Sequence, residues 1–437
     1  MPPSAASEGG VAELRAAEVA SYTRKAVDER PDLTIVGDAV YDAKAFRDEH
    51  PGGAHFVSLF GGRDATEAFM EYHRRAWPKA RMSKFFVGSL DASEKPTQAD
   101  SAYLRLCAEV NALLPKGSGG FAPPSYWLKA AALVVAAVSI EGYMLLRGKT
   151  LLLSVFLGLV FAWIQIQHDA NHGALSRHSV INYCLGYAQD WIGGNMVLWL
   201  QEHVVMHHLH TNDVDADPDQ KAHGVLRLKP TDGWMPWHAL QQLYILPGEA
   251  MYAFKLLFLD ALELLAWRWE GEKISPLARA LFAPAVACKL GFWARFVPLW
   301  LQPTVHTALC ICATVCTGSF YLAFFFFISH NFDGVGSVGP KGSLPRSATF
   351  VQRQVETSSN VGGYWLGVLN GQFQIEHHLF PRLHHSYYAQ IAPVVRTHIE
   401  KLGFKYRHFP TVGSNLSSML QHMGKMGWGA EKGGKAE

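Results

Sequence analysis

Charge is what this sequence has least of. Asp, Glu, Lys and Arg make up 17% of its 437 residues, against about 25% in an ordinary soluble domain. The formal net charge is only +2 and the pI is near 8.1. That balance argues against a nucleic-acid partner, whose basic face usually lifts the pI above about 9. Cysteine is also scarce. There are six, with no C-x-x-C pair, and Cys310, Cys312 and Cys316 sit in an apolar run. Buried thiols are expected there, rather than disulfides or a zinc site. Met1–Gly10 has no basic segment followed by an apolar one, so a cleaved signal peptide is not expected.

What is present is apolar mass. Hydrophobic residues reach 49%, with 13 Trp and 25 Phe, yet mean hydropathy is only +0.03. A soluble part joined to a membrane part satisfies both numbers. Residues 14–90 mix charged and apolar residues and are punctuated at His50-Pro51-Gly52-Gly53 and Gly61-Gly62, as in a small α+β domain. Residues 91–125 read as a linker with one short helix. Residues 126–410 form the apolar part, and residues 411–437 read as a polar tail.

Four runs reach or approach spanning length: Trp127–Leu146, Leu151–Ile164 continuing into His168, Leu281–Leu301 and Thr304–Ser329. They predict two helical hairpins in an otherwise all-α unit. Stretches 185–200 and 240–267 are amphipathic and expected to lie in the membrane interface. An even number of crossings returns the chain to its starting side, so His168–His210 and His330–His378 are expected on one face, with the N-terminal domain.

Twenty-one histidines are the anomaly. His50-Pro51-Gly52-Gly53 is followed 23 residues later by His73. Two neutral imidazoles ligate iron well, and no C-x-x-C-H is present. His55 is read as a surface residue. Three further clusters are His168-x-x-x-His172, His203-x-x-x-His207-His208 and Gln374-Ile-Glu-His377-His378. On an α-helix His168 and His172 share a face, as do His203 and His207, whereas adjacent pairs diverge and can serve different metals. Seven imidazoles, with His330 and Gln374 as further ligands, exceed one first shell and imply two metals. Iron, zinc and copper all favour such ligands.

His210 is read as a ligand or as a partner of one, and Asp169 and Asn171 as residues that orient imidazoles. Asp213, Asp215, Asp217 and Asp219 begin like a calcium loop, but Pro218 and Gly224 stand where Gly and Glu are needed. Those carboxylates are expected to bond ligand histidines or face solvent. His384-His385 is expected to be exposed near the membrane surface.

Residues 14–90 resemble cytochrome b5 in their HPGG motif, second histidine and Gly61–Thr66 turn. Residues from about 120 to 410 resemble the membrane fatty-acyl desaturases. Gln374 in place of a first histidine in the third cluster, with the fused haem domain, places the resemblance among front-end desaturases. That resemblance implies a diiron centre, noncovalent haem b and dioxygen as co-substrate. It implies a long-chain polyunsaturated acyl substrate on phospholipid or coenzyme A, an NADH-cytochrome b5 reductase partner, and the endoplasmic reticulum membrane with the histidines cytosolic. The H-x-x-x-H-H form of the second box is similar to Δ4 or Δ5 members, and the whole chain to Δ4 enzymes of C22 acids. Sphingolipid desaturation, acyl hydroxylation and a non-enzymatic haem/metal relay are the alternatives. Against the family the chain is a few residues short before the first box, near Val297-Pro298, and before the third box.

Overall fold

The computed structural model describes residues 20–75, 79–95, 101–270, 272–295, 301, 303–362 and 373–428. Leu33–Val36, buried throughout, and Ala39–Asp42, joined by a turn at Gly37, form an antiparallel pair with Thr34 opposite Tyr41. Phe86–Leu90 adds to the outer edge of Ala39–Asp42, and Ser21–Tyr22 and Arg63–Asp64 complete a five-stranded sheet. Val27, Leu33, Ile35, Val40 and Leu90 are its sealed core. Helices Ala54–Leu59 and Thr66–Tyr72 leave the sheet and wall a cavity.

The remainder is helical. Pro124–Arg147, Leu151–Asn171, Pro276–Arg295 and Val305–His330 are four helices long and apolar enough to cross a membrane. Leu128, Val135, Val138, Leu152, Leu290 and Leu309 point outward from them, as lipid-facing side chains do. Helices Leu151–Ile164 and Val305–His330 approach very closely. A Cβ on Gly158 would stand 2.4 Å from the Thr314 carbonyl oxygen, so only glycine permits the crossing.

The second span breaks just before the first histidine cluster. Gln165 adopts φ +41°, a left-handed conformation that costs a residue with a Cβ roughly 1–2 kcal/mol. The kink falls at the first of the three short segments. The other two, at Val297-Pro298 and at 369–372, lie outside the described residues.

Several expectations need correction. Residues 185–200 do not lie at an interface throughout, because Met196, Val197, Leu198 and Leu200 are buried. They belong to one apolar cluster that also contains Phe56, Leu59, Phe60, Ala65 and Ala68 of the N-terminal domain. The two parts thus share a core. Stretch 240–267 does present Leu243, Met251, Phe258, Leu262 and Leu265 outward. Within 91–125, helix Ser101–Leu113 buries Tyr103, Leu106 and Val110 in a second cluster with Ile391 and Val395. The expected polar tail forms helix Val412–Trp428, with Asn415, Met419 and Met423 buried.

Candidate functional site

The HPGG turn holds the first ligand pair. His50 Nδ1 hydrogen-bonds the Gly53 carbonyl at 3.1 Å, and His73 Nδ1 the Phe69 carbonyl at 2.8 Å. Each outer nitrogen is thereby the N–H, and each Nε2 is left bare. The ring centres lie 6.1 Å apart. An iron held at about 2.0 Å by two opposed Nε2 atoms sets a separation of about 6 Å. Burial lowers both pKa values, that of His73 to about 4, and keeps the rings neutral. The cavity between them measures about 330 Å³ and is lined by Phe46, Phe60, Phe69 and Met82. Haem fits this donor set. Gly173 and Arg382 from the helical part also line it. His55 is not on the surface as expected; it is buried, packed on Phe56 and Tyr183.

The boxes meet as two imidazole groups. His168, His172, His203 and His377 form the first, and His207, His330 and His378 the second. In the first, the Nε2 atoms of His203 and His377 lie 3.4 Å apart, and His208, which belongs to neither group, brings its Nε2 to 3.2 and 3.1 Å from them. Nitrogens each about 2.1 Å from one metal, at tetrahedral or octahedral angles, sit about 3.0–3.4 Å apart. In the second, His330 Nε2 and His378 Nε2 are 3.2 Å apart, and the Gln374 amide is 3.2 Å from the former and 3.4 Å from the latter. Gln374 can turn its carbonyl oxygen to the same point. The donor chemistry fits two metal ions that prefer nitrogen.

His203 and His207 do not share a centre, contrary to the α-helical expectation. Leu200–His207 is a π-helix, and the His208 amide bonds the His203 carbonyl. Five residues per hydrogen-bonded step put His203 over His208 instead, and turn His207 toward His330. The H-x-x-x-H-H spacing is thus read out by a widened helix. His168 and His172, on an ordinary helix, stay together.

Outer nitrogens are held from many directions. His207 Nδ1 bonds Asp217 at 3.1 Å, His330 Nδ1 the Thr357 carbonyl at 3.0 Å, and His378 Nδ1 Gln354 at 3.0 Å. His377 Nδ1 meets the Tyr388 hydroxyl at 3.3 Å and His172 Nδ1 the Tyr72 hydroxyl at 2.9 Å. These bonds fix the tautomers that aim Nε2 inward. Burial, then neighbouring imidazoles, push His172, His203, His208, His377 and His378 well below the usual histidine pKa. Burial would lower His207 too, but Asp217 and Asp219 raise it to about 9. His210 belongs to neither group. Asp213 bonds Arg346, not a histidine.

His384 and His385 are buried, not exposed. His385 Nδ1 donates to Asp169 at 2.8 Å, and Tyr126 packs on both rings. Asp169 therefore orients His385, while Asn171 donates weakly to the Gly186 carbonyl at 3.5 Å. Sequence reasoning missed this pair because its apolar cover comes from residue 126. It also missed Tyr72, Gln354, Thr357 and Tyr388, which no local spacing marks.

Beside the first group lies a small cavity of about 70 Å³, lined by His168, Phe325, Phe326, Gln374, His377 and Tyr388 among others. A second of about 40 Å³ shares Gln189 and Leu322 with it, and a third of similar size shares Thr314 with the second. The row runs from the imidazoles into the spanning helices.

Comparison with known proteins agrees with this geometry. The cytochrome b5-like haem/steroid-binding domain family matches residues 15–91, and the fatty acid desaturase family matches residues 149–410. An acyl-lipid (7-3)-desaturase of Diacronema lutheri is 98% identical over the whole of both chains. That alignment spans 445 positions, more than the 437 residues present here, so the relative carries residues this chain lacks. An acyl-lipid (7-3)-desaturase of Rebecca salina is 64% identical over 98% of each chain. An acyl-lipid (8-3)-desaturase of Physcomitrium patens is 26% identical over 90% of this chain and 88% of its own. The cofactors are a diiron centre and haem, with dioxygen as co-substrate. The chain belongs to the fatty acid desaturase family, as a front-end acyl-lipid desaturase with a fused cytochrome b5-like domain.

Proposed function

We propose that the chain inserts a cis double bond at Δ4 of C22 polyunsaturated acyl chains, in two imidazole-held iron sites fed by its own haem. The observation that carries the metal reading is the convergence of bare Nε2 atoms at ligand-to-ligand spacing. In this reading His168, His172, His203 and His377 hold one iron, and His207, His330 and His378 the other. His208 stands between the sites, stacked 4.4 Å from His378, and Gln374 supplies an oxygen to the second. His50 and His73 hold haem b. When bound, the iron pair supplies dioxygen activation and the oxidation of adjacent methylenes.

The protein's own part is position and exclusion. Phe325, Phe326 and Tyr388 wall the cavity beside His377 and keep water from it. The row of cavities offers an apolar path for an acyl chain, so the carbons beside the metals are chosen by how deep the chain enters. Δ4 is in keeping with the H-x-x-x-H-H box, a form shared with Δ5 members, and with full-length likeness to two relatives named acyl-lipid (7-3)-desaturases. Helices 124–147, 151–171, 276–295 and 305–330 span the endoplasmic reticulum membrane in this reading. Both histidine-bearing ends and the haem domain then share the cytosolic side, where an NADH-cytochrome b5 reductase reaches the haem. Residues 14–90 are the haem domain and 126–410 the desaturase domain.

The test is expression in yeast that makes no polyunsaturated acids, with C20 and C22 acids fed separately and products read by gas chromatography. A new bond at carbon 4 of C22 chains is expected. A new bond at carbon 5 of C20 chains would replace Δ4 by Δ5, and no product from any fed acid, with haem-loaded protein present, would overturn the activity for this chain.

A further inference from the structure

The haem domain is not merely tethered near the metal centre. Its helix Thr66–Tyr72 reaches the outer edge of the imidazole groups. Tyr72 Oη lies 2.9 Å from His172 Nδ1. His172 needs a bare Nε2 for a metal, so its Nδ1–H donates to the tyrosine oxygen. His172 Nε2 is buried and has no hydrogen-bond partner among the described residues. One residue earlier, Glu71 is buried with its carboxylate 3.8 Å from His208 Nδ1. One residue later is His73, the second haem ligand of the proposed function, on which this inference rests.

Tyr72 also lines the haem cavity itself. Tyr72 therefore joins both sites: it lines the cavity that would hold haem, and its hydroxyl meets the imidazole of His172. The docking that creates this contact is held by specific bonds. Arg382, which follows the third box, donates to the Tyr72 carbonyl at 3.3 Å. Arg353, beside Gln354, forms a half-buried ion pair with Glu67 on the same helix. Phe56 packs on the Tyr72 ring at 5.5 Å. Apolar residues of both domains form one continuous cluster beneath it.

We propose that Tyr72 is the electronic bridge between the haem and the diiron centre, through its hydrogen bond to His172. With haem and two irons bound, each transfer would take one electron from the haem iron, ferrous to ferric, and place it on one iron of the pair, ferric to ferrous. Two transfers, with two protons and one dioxygen, balance the removal of two hydrogens from the acyl chain and the release of two waters. Tyr72 is neither oxidised nor reduced overall; it carries the coupling. A rival path exists through the backbone of Gly173, which lines the haem cavity and follows His172. It lacks a hydrogen bond from the haem domain, so it is the weaker contact.

The test uses the full chain in detergent, loaded with haem and ferric iron, under argon. A flash-generated reductant adds one electron to the haem, and decay of the ferrous haem band reports its departure. In Tyr72→Phe, compared with the wild type at equal bound iron, the decay is expected to slow severalfold. Haem band position and haem midpoint potential should stay as in the wild type, while more iron is needed to fill the sites, as for any lost group that holds a ligand histidine. Decay at the wild-type rate would overturn the bridge and leave the Gly173 path. A second variant is independent of the phenol. Arg353→Glu should slow the decay by undocking the helix, and adding Glu67→Arg should restore it. Wild-type decay in Arg353→Glu would overturn the docking on which the bridge depends. If the wild-type haem itself passes no electron to the iron, the proposed function fails, and not the bridge alone.

Discussion

The two metal-binding regions of this chain are built in opposite ways. Around the haem cavity, each ligand's outer nitrogen is satisfied within its own turn: His50 by Gly53, three residues on, and His73 by Phe69, four residues back. Around the iron centre, the holding groups lie 10, 24, 27 and 100 residues from their histidines, on Asp217, Gln354, Thr357 and Tyr72. The haem site is a local device that a short segment can specify. The iron centre exists only when four spans, a π-helix and the haem domain have assembled. The difference teaches where damage should spread. A lesion at a haem ligand should stay in the haem domain, whereas a lesion at a holding group of the iron centre acts at a distance in sequence.

The largest effect that tests this contrast is ligand removal. His377→Ala should abolish the double-bond product, read by gas chromatography of total acyl chains, while the haem absorption band is unchanged. His73→Ala should do the reverse, removing the haem band while bound iron, measured by elemental analysis, persists. If His377→Ala also lost the haem, the two sites would not be separable. Next in size is Asp217→Asn. It keeps the shape but weakens the charge-assisted bond to His207, and such changes lower metal affinity or activity about 10–100-fold. Iron retained per chain after dialysis against a graded chelator series is the measurement. Retention equal to the wild type would show that long-range holding groups matter less than the comparison requires.

Legibility followed the same divide. HPGG and a histidine 23 residues later announce the haem site because its geometry is short-range. The box histidines were legible as a set, since clustered imidazoles have few other uses. Their partition between centres was not, because α-helical spacing paired His203 with His207, whereas the π-helix pairs it with His208. The four spans were legible from apolar length, and their exact starts differed by a few residues. Burial of His55, His384 and His385 was not legible. Each is covered by side chains from another segment: Tyr183 over His55, and Tyr126 over the other two. The tail was misread because its composition is polar, although Met419 and Met423 make one apolar edge that packs with Ile245 and Ile328.

The smallest expected effect sharpens the local side of the comparison. Gly53 has φ +113° and ψ 140°, a region that residues with a Cβ avoid. Its amide donates to the His50 carbonyl, and its own carbonyl accepts from the His50 ring. A Cβ built there would lie 2.7 Å from Cε1 of His55. The obstruction is the tip of a side chain, not backbone, so the ring can shift. Backbone strain then dominates, and Gly53→Ala should destabilise the haem domain by about 1 kcal/mol, the low end of the range for such conformations. The expected readout is a lower guanidinium midpoint for loss of the haem band in the full chain. Bound iron should be unaltered under native conditions, because no holding group of the iron centre leans on Gly53. Loss of iron in Gly53→Ala would mean that the haem turn supports the distant site, and the local character assigned to it would be wrong.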